Sequence, residues 1–219
     1  RMSGSLNDQS NPALLALHTA LEADAQTANA ADVAAASWLS ARVGMGIDPC
    51  RRPLPDPAEI RTIAQRWRRL IFPEFWTDQP SNAEKLTTDI RQFRCLLVRQ
   101  LVVERLSRPD KDGPAATGAP CAAECDAALA IARRVGDAVI EAVPAVREAL
   151  EGDLQAALDG DPAAQSRAEI VLCYPGFRAI AMWRLANILW RQGATLIARI
   201  LTEQAHARSG IDLHPGASI

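Results

Sequence analysis

The spacing of the apolar residues changes once along this chain, at Gly210. Before that glycine, apolar residues recur every three or four positions over long stretches, as in amphipathic helices. After it, Ile211, Leu213 and Pro215 alternate with polar residues, as in an extended strand. The sequence therefore predicts an all-α fold whose last residues, 210–219, open a different architecture.

Helix-boundary signals divide the helical part. Asp56-Pro57-Ala58-Glu59 and Ser81-Asn82-Ala83-Glu84 both have the spacing of a capping box, so we expect helices to begin there and to end near Phe72 and Leu106. Asp161-Pro162 predicts a further helix start, because Asp accepts free backbone N–H groups and Pro suits a first turn.

Later breaks are equally clear. Tyr174-Pro175-Gly176 should interrupt one helix, since the residue before a proline leaves the helical region. The apolar residues from Phe177 onward predict the next helix, and Gly210 should end the last one. Tyr174 is expected to pack at the helix junction rather than donate a proton.

The stretch from residue 107 to 120 is rich in Pro and Gly and predicts a linker. Arg1 ahead of Met2 indicates a cloning remnant, and helices are also expected from Asn11-Pro12 and over residues 32–43. We therefore expect a tag remnant and disordered N terminus (1–11), an N-terminal helical subdomain (12–106), the linker (107–120), a second helical region (121–209) and the segment after the last helix (210–219).

Composition excludes several classes of function. The 219 residues carry a net charge of -2, and the chain has no concentrated basic footprint for nucleic acid or an anionic membrane. No uninterrupted apolar run is long enough to cross a bilayer. The five cysteines are odd in number, scattered and preceded by no secretory signal, which indicates reduced thiols in a cytoplasmic protein.

Taken alone, the polar residues suggest little chemistry. Cys121 and Cys125 lie four apart without a third soft ligand nearby, so we predict no metal site. His18 is expected to be a surface or packing residue, and His206 to interact with a helix C terminus. By general preference Asp161 is a helix cap and Asp212 an exposed carboxylate.

Six motifs in a fixed order change this interpretation. They resemble the serine acetyltransferases, over roughly residues 144–219: Asp161-Pro-Ala, Cys173-Tyr-Pro-Gly-Phe-Arg-Ala-Ile, Trp183-Arg-Leu-Ala, Leu196-Ile-Ala-Arg, Thr202-Glu-Gln-Ala-His and Gly210-Ile-Asp-Leu-His-Pro-Gly-Ala. The resemblance implies a helical N-terminal domain followed by a left-handed parallel β-helix of hexapeptide repeats, whose first strand begins at Gly210. The chain is then expected to be truncated after about one repeat.

The resemblance also implies a reaction. Serine acetyltransferases transfer the acetyl group of acetyl-CoA to L-serine, giving O-acetylserine for cysteine biosynthesis. By motif, Asp161 would contact the amino acid substrate and Asp212 would partner the catalytic histidine, whose Asp-His-Gly/Ala-Thr-Gly motif is absent from these 219 residues. The chain itself is therefore expected to be inactive and to bind no cofactor, with His214 supporting the first coil.

Partners follow from the same resemblance. It implies L-serine as substrate, L-cysteine as feedback inhibitor, a trimer or dimer of trimers, and O-acetylserine sulfhydrylase bound through a C-terminal tail. Trp183 and Asn187 stand where many members have histidine, which should alter contacts between subunits or with the coil. Two alternatives remain, a helical assembly module without catalysis and a hexapeptide acyltransferase with another acceptor.

Overall fold

The computed structural model describes residues 54–76, 82–107 and 120–219. Within these residues the fold is all-helical, as predicted, with no β-strand. The elements are α1 Pro57–Ile71, a 3-10 helix Pro73–Phe75, α2 Ala83–Ser107, α3 Ala122–Glu141, α4 Val143–Gly160, α5 Arg167–Cys173, α6 Pro175–Arg191 and α7 Thr195–Ser209. The helices predicted from Asn11 and over residues 32–43 lie outside the described residues.

Helix α1 begins where predicted, but with a different set of partners. Asp56 Oδ1 accepts the Ala58 N–H at 2.8 Å, as a capping residue should. Glu59 does not complete the predicted capping box. Gln100 of α2 takes that role, because its Oε1 accepts the Asp56 N–H at 2.8 Å while its Nε2 donates to Glu59. The start of α1 is thereby bonded to α2.

Helix α2 begins at Ala83, close to the predicted position. Asn82 Oδ1 accepts the Lys85 N–H at 2.8 Å, so Asn82 caps this helix. Ser81, the residue predicted for that role, lies outside the described residues. The helix ends at Ser107, one residue beyond the expected Leu106.

A single hydrophobic core unites the seven helices. Trp67 of α1 is fully buried, its ring centroid lies 5.7 Å from that of Phe93, and its indole N–H donates to Ala181 O at 3.0 Å. Each α-helix contributes to this core, for example through Ile63, Leu97, Val139, Leu150, Ile170, Leu185 and Ile197. Helices on both sides of residues 107–120 therefore share one core. The division into subdomains at those residues stays a prediction.

A buried carboxylate fixes the start of α7. Glu104 of α2 is only 2% exposed, and its two oxygens accept the N–H groups of Leu196 and Ile197 at 2.9 and 3.1 Å. Free N–H groups at a helix N terminus favour a negative charge, so this contact caps α7 from another helix.

The chain leaves α7 at Gly210, as predicted, with a left-handed φ of 71°. The strand predicted for residues 210–219 is not formed. A strand is defined by hydrogen bonds to a neighbouring strand, and the described chain offers none. Residues 211–219 instead contact α6 and turn at Pro215 and Gly216. Among the described helices, none combines the length and apolar character that crossing a membrane requires.

Candidate functional site

Asp161 lies just after α4, half-buried, and both of its oxygens accept hydrogen bonds. Oδ1 accepts the Ala163 N–H at 2.9 Å, and Oδ2 accepts the Tyr174 hydroxyl at 2.7 Å. The Tyr174 bond, followed by the backbone bond, holds the pKa of Asp161 below its ordinary value of 3.8. The same bond raises the pKa of Tyr174 to about 12. Asp161 is therefore an anion at neutral pH, and each oxygen keeps a lone pair for a further donor.

The helix start predicted at Asp161-Pro162 is wrong. The next helix, α5, begins at Arg167, where Ser166 Oγ accepts the Glu169 N–H at 3.1 Å. Glu169 Oε2 in turn accepts the Gln165 N–H at 2.8 Å. Ser166 therefore caps α5, and the Asp161 side chain closes a turn instead.

Tyr174 is a functional candidate that the sequence did not predict. It caps α6 at the junction with α5, as expected, but its hydroxyl also donates to Asp161. The two residues are separated by the whole of α5. No spacing rule links them, and the only signal was that Tyr174 is the one tyrosine of the chain.

Asp212 is exposed and stands two residues after the end-of-helix Gly210. It forms no hydrogen bond or ion pair with any residue that the structure describes. Its carboxylate is thus accessible to an incoming group, whereas that of Asp161 already has two donors.

Three side chains on one face of α6 hold the chain beyond Asp212. We call Trp183, Asn187 and Trp190 the docking stripe, since residues three and four apart share a helix face. Trp183 Nε1 donates to the carbonyl of residue 214 at 3.1 Å, and Asn187 Nδ2 donates to those of residues 215 and 217 at 2.7 and 3.1 Å. Of the contacts expected for Trp183 and Asn187, those with the segment after Gly210 are present.

Trp190 completes the stripe through His214. The two ring centroids lie 4.9 Å apart, edge to face, and His214 Nδ1 accepts the Gly216 N–H at 3.1 Å. A Cβ at residue 216 would lie 2.8 Å from Trp190 Nε1, so only glycine fits there. The sequence predicted neither Trp190 nor Gly216 as part of the site, although Trp190 follows Trp183 by seven residues on the same face.

The first turn of α6 lies beside Asp161 and beside Ile211, the neighbour of Asp212 in the sequence. Tyr174, its cap, binds Asp161, and two residues later a Cβ at Gly176 would lie 4.0 Å from Ile211 Cδ1. Ile211 directly precedes Asp212. The two carboxylates do not contact each other, but one helix end connects their neighbourhoods.

The remaining candidates lie elsewhere. His206 is exposed in the last turn of α7, and His18 lies outside the described residues. No three potential metal ligands come together within the described ranges, which include Cys121 and Cys125. The roles of Asp161 and Asp212 stay predictions.

Comparison with known proteins finds similarity to serine acetyltransferases. Residues 123–182 match the family model described as serine acetyltransferase, N-terminal. Residues 123–182 are therefore similar to the N-terminal domain of serine acetyltransferases. A plasmid-encoded serine acetyltransferase of Synechococcus elongatus is 33% identical over 175 residues, which cover 76% of this chain and 52% of that protein. A match of that length cannot fit within residues 144–219, so the resemblance extends further toward the N terminus than predicted.

Two further serine acetyltransferases are similar to this chain. That of Mycobacterium tuberculosis is 46% identical over 71 residues, 32% of this chain and 31% of that protein. Serine acetyltransferase 1 of Entamoeba histolytica, solved in complex with L-cysteine, superposes with a TM-score of 0.58 at 26% identity, covering 72% of this chain and 50% of that one. The chain thus spans about half or less of the length of these three relatives.

Proposed function

We propose that this chain is part of a serine O-acetyltransferase that transfers the acetyl group of acetyl-CoA to the hydroxyl of L-serine. The observation that carries the proposal is the carboxylate of Asp161, held as an anion by Tyr174 at the end of α6 that also adjoins Ile211, the residue before Asp212. The family match to residues 123–182 supports the reaction class.

Asp161 is proposed to anchor the ammonium group of serine. Its lowered pKa keeps it charged at neutral pH, and its bonds to Tyr174 and Ala163 fix its orientation before substrate arrives. A preorganised carboxylate binds an ammonium group without first reorienting, which lowers the entropic cost of binding.

Asp212 is proposed to orient the catalytic imidazole. In the family that imidazole belongs to the Asp-His-Gly/Ala-Thr-Gly motif. A carboxylate bonded to one ring nitrogen fixes the tautomer and stabilises the imidazolium, as in hydrolytic triads. The other nitrogen takes the proton of the serine hydroxyl, whose oxygen attacks the thioester carbonyl. The carbon–sulfur bond then breaks, and the coenzyme A thiolate receives the proton.

Ligands and partners belong to the same proposal. Because L-cysteine differs from L-serine by one atom, and a relative at 26% identity is solved with L-cysteine, we propose L-cysteine as an inhibitor at the serine site. Acetyl-CoA as co-substrate, a homo-oligomer and O-acetylserine sulfhydrylase as partner are proposed from the resemblance. A cytoplasmic location is proposed because Cys95, Cys121, Cys125 and Cys173 form no disulfide.

Steady-state kinetics of the full-length protein containing this chain test the assignment. Asp161→Asn is expected to raise the KM for serine more than tenfold while the KM for acetyl-CoA changes little. Asp212→Asn is expected to lower kcat by up to about 10⁴, the loss seen when a triad aspartate is changed to asparagine. Asp159→Asn is the matched control, since Asp159 is exposed and, among the described residues, accepts a bond only from Gln155.

Two results would overturn the assignment. One is a serine KM that responds equally to Asp161→Asn and Asp159→Asn. The other is an unchanged kcat in Asp212→Asn. Turnover of homoserine or a sugar in preference to serine would instead support a different acceptor.

A further inference from the structure

Four arginines surround a shallow cleft between α1, α6 and α7, whose lining includes neither Asp161 nor Asp212. Arg61 and Arg68 come from α1, Arg178 from α6 and Arg208 from α7. No acidic side chain lines this arginine cleft, and none of the four forms an ion pair with a residue in the described part of the chain. Four positive charges therefore share one small space without a counter-ion from these helices.

A structural explanation accounts for only part of the cluster. Arg68 donates to Val171 O at 3.0 Å and Arg178 to Leu172 O at 3.2 Å, so both cap the C-terminal turn of α5. A helix C terminus provides about half a negative charge, which does not balance even one guanidinium. Arg61 and Arg208 have no hydrogen-bond partner among the described residues.

The uncompensated charge affects the group at the centre of the cluster. Burial, together with repulsion from Arg178 and Arg208, lowers the pKa of Arg68 to about 10. Arg178 Nε is buried without a hydrogen-bond partner, as is Oε1 of the neighbouring Gln204. Buried polar atoms without partners are rare in folded proteins, and an unpaired donor in a basic cleft favours an anionic acceptor.

We propose that the arginine cleft binds a tetrahedral oxyanion, phosphate or sulfate, either free or as the terminal group of a larger metabolite. The planar guanidinium fork matches the oxygens of such a group with two parallel bonds. The centre of a water-sized sphere can occupy about 30 Å³ of this cleft, which favours a single small group over an extended chain. This site does not depend on the proposed acetyl transfer, because it includes neither Asp161 nor Asp212.

The test measures phosphate binding to the purified chain at constant ionic strength, by calorimetry and by the shift in Tm. Arg61→Gln and Arg208→Gln are informative variants, because neither side chain forms a hydrogen bond or ion pair with the residues that the structure describes. Arg134→Gln is the control, since it removes the same charge from an exposed position on α3. We expect phosphate to raise the Tm of the unaltered chain and of Arg134→Gln equally. Affinity should fall at least fivefold in Arg61→Gln and in Arg208→Gln.

Two further measurements complete the design. Without phosphate, Arg208→Gln should have a Tm equal to or above that of the unaltered chain, because a repulsion is relieved. Sulfate and a nucleoside monophosphate distinguish the source of the group, since tighter binding of the nucleotide indicates a terminal phosphate and equal binding indicates the free ion. The proposal is overturned if phosphate stabilises no more than chloride at equal ionic strength. Equal loss of binding in Arg134→Gln would overturn it as well.

Discussion

The neighbourhoods of Asp161 and Asp212 are fixed in opposite ways. At Asp161 the side chain is held, because Tyr174 and the Ala163 N–H occupy its two oxygens. At Asp212 the nearby backbone is held, because the docking stripe binds the carbonyls of residues 214, 215 and 217, while the carboxylate itself is exposed. A fixed carboxylate suits a small cation such as an ammonium group. A free carboxylate on anchored backbone suits a group supplied from elsewhere.

The largest effect on this difference is expected when Asn187, the central residue of the docking stripe, is replaced. Asn187→Leu deletes two hydrogen bonds to residues 215 and 217, which should cost about 2 kcal/mol of docking free energy. Hydrogen exchange at the Ala217 N–H, which donates to His214 O at 2.9 Å, should then accelerate at least tenfold.

Matched variants isolate the effect of that amide. Gln192→Leu changes an exposed amide at the end of the same helix and should leave exchange at Ala217 unchanged. Asn187→His keeps a ring donor on the same face and should restore part of the protection. Unchanged exchange in Asn187→Leu would mean that the stripe does not hold this segment.

A smaller effect is expected from crowding the contact between Gly216 and Trp190. Gly216→Ala places a Cβ 2.8 Å from Trp190 Nε1 and should destabilise the fold by about 1 kcal/mol, visible as a lower Tm and a displaced Trp190 indole signal. Gly152→Ala, on α4 with no atom within 4 Å of the new Cβ, should raise the Tm slightly. A Gly216→Ala protein with an unmoved Trp190 signal would contradict the close approach.

The smallest effect is expected for the pH dependence of stability that comes from Asp161. Asp161 has a lowered folded pKa, so its stabilising contribution is present above its unfolded pKa and is lost as pH falls through the folded pKa, below about pH 4. Tyr174→Phe should raise the pKa of Asp161 in a carboxyl NMR titration and weaken this pH dependence.

The reciprocal measurement uses the single tyrosine. Asp161→Asn should lower the pKa of Tyr174 from about 12 toward 10, followed directly by phenolate absorbance. Either pKa remaining unchanged would show that the Asp161–Tyr174 bond does not persist in solution.

Short sequence patterns at the helix ends predicted much of the fold. Asp56-Pro57, Tyr174-Pro175 and Gly210 each end or begin a helix within a residue or so of the expected position. In these cases the backbone groups are satisfied by residues nearby in the sequence, so short patterns suffice.

Distant partners account for what the sequence did not predict. Gln100 replaces Glu59 at the start of α1, and Glu104 caps α7 across 92 residues. The Asp161–Tyr174 bond and the docking stripe depend on how α6 packs against its neighbours, which no local spacing encodes. The motifs identified Asp161 and Asp212 only through resemblance.

The central claim is that the first turn of α6 brings the neighbourhoods of Asp161 and Asp212 together. The most direct measurement is a nuclear Overhauser effect between the Ile211 δ-methyl group and the α protons of Gly176 in the 219-residue chain. We predict a clear cross-peak, because a Cβ at Gly176 would lie 4.0 Å from Ile211 Cδ1. A missing cross-peak, with the Ile211 methyl signal assigned and Gly176 in a folded α6, would contradict the claim.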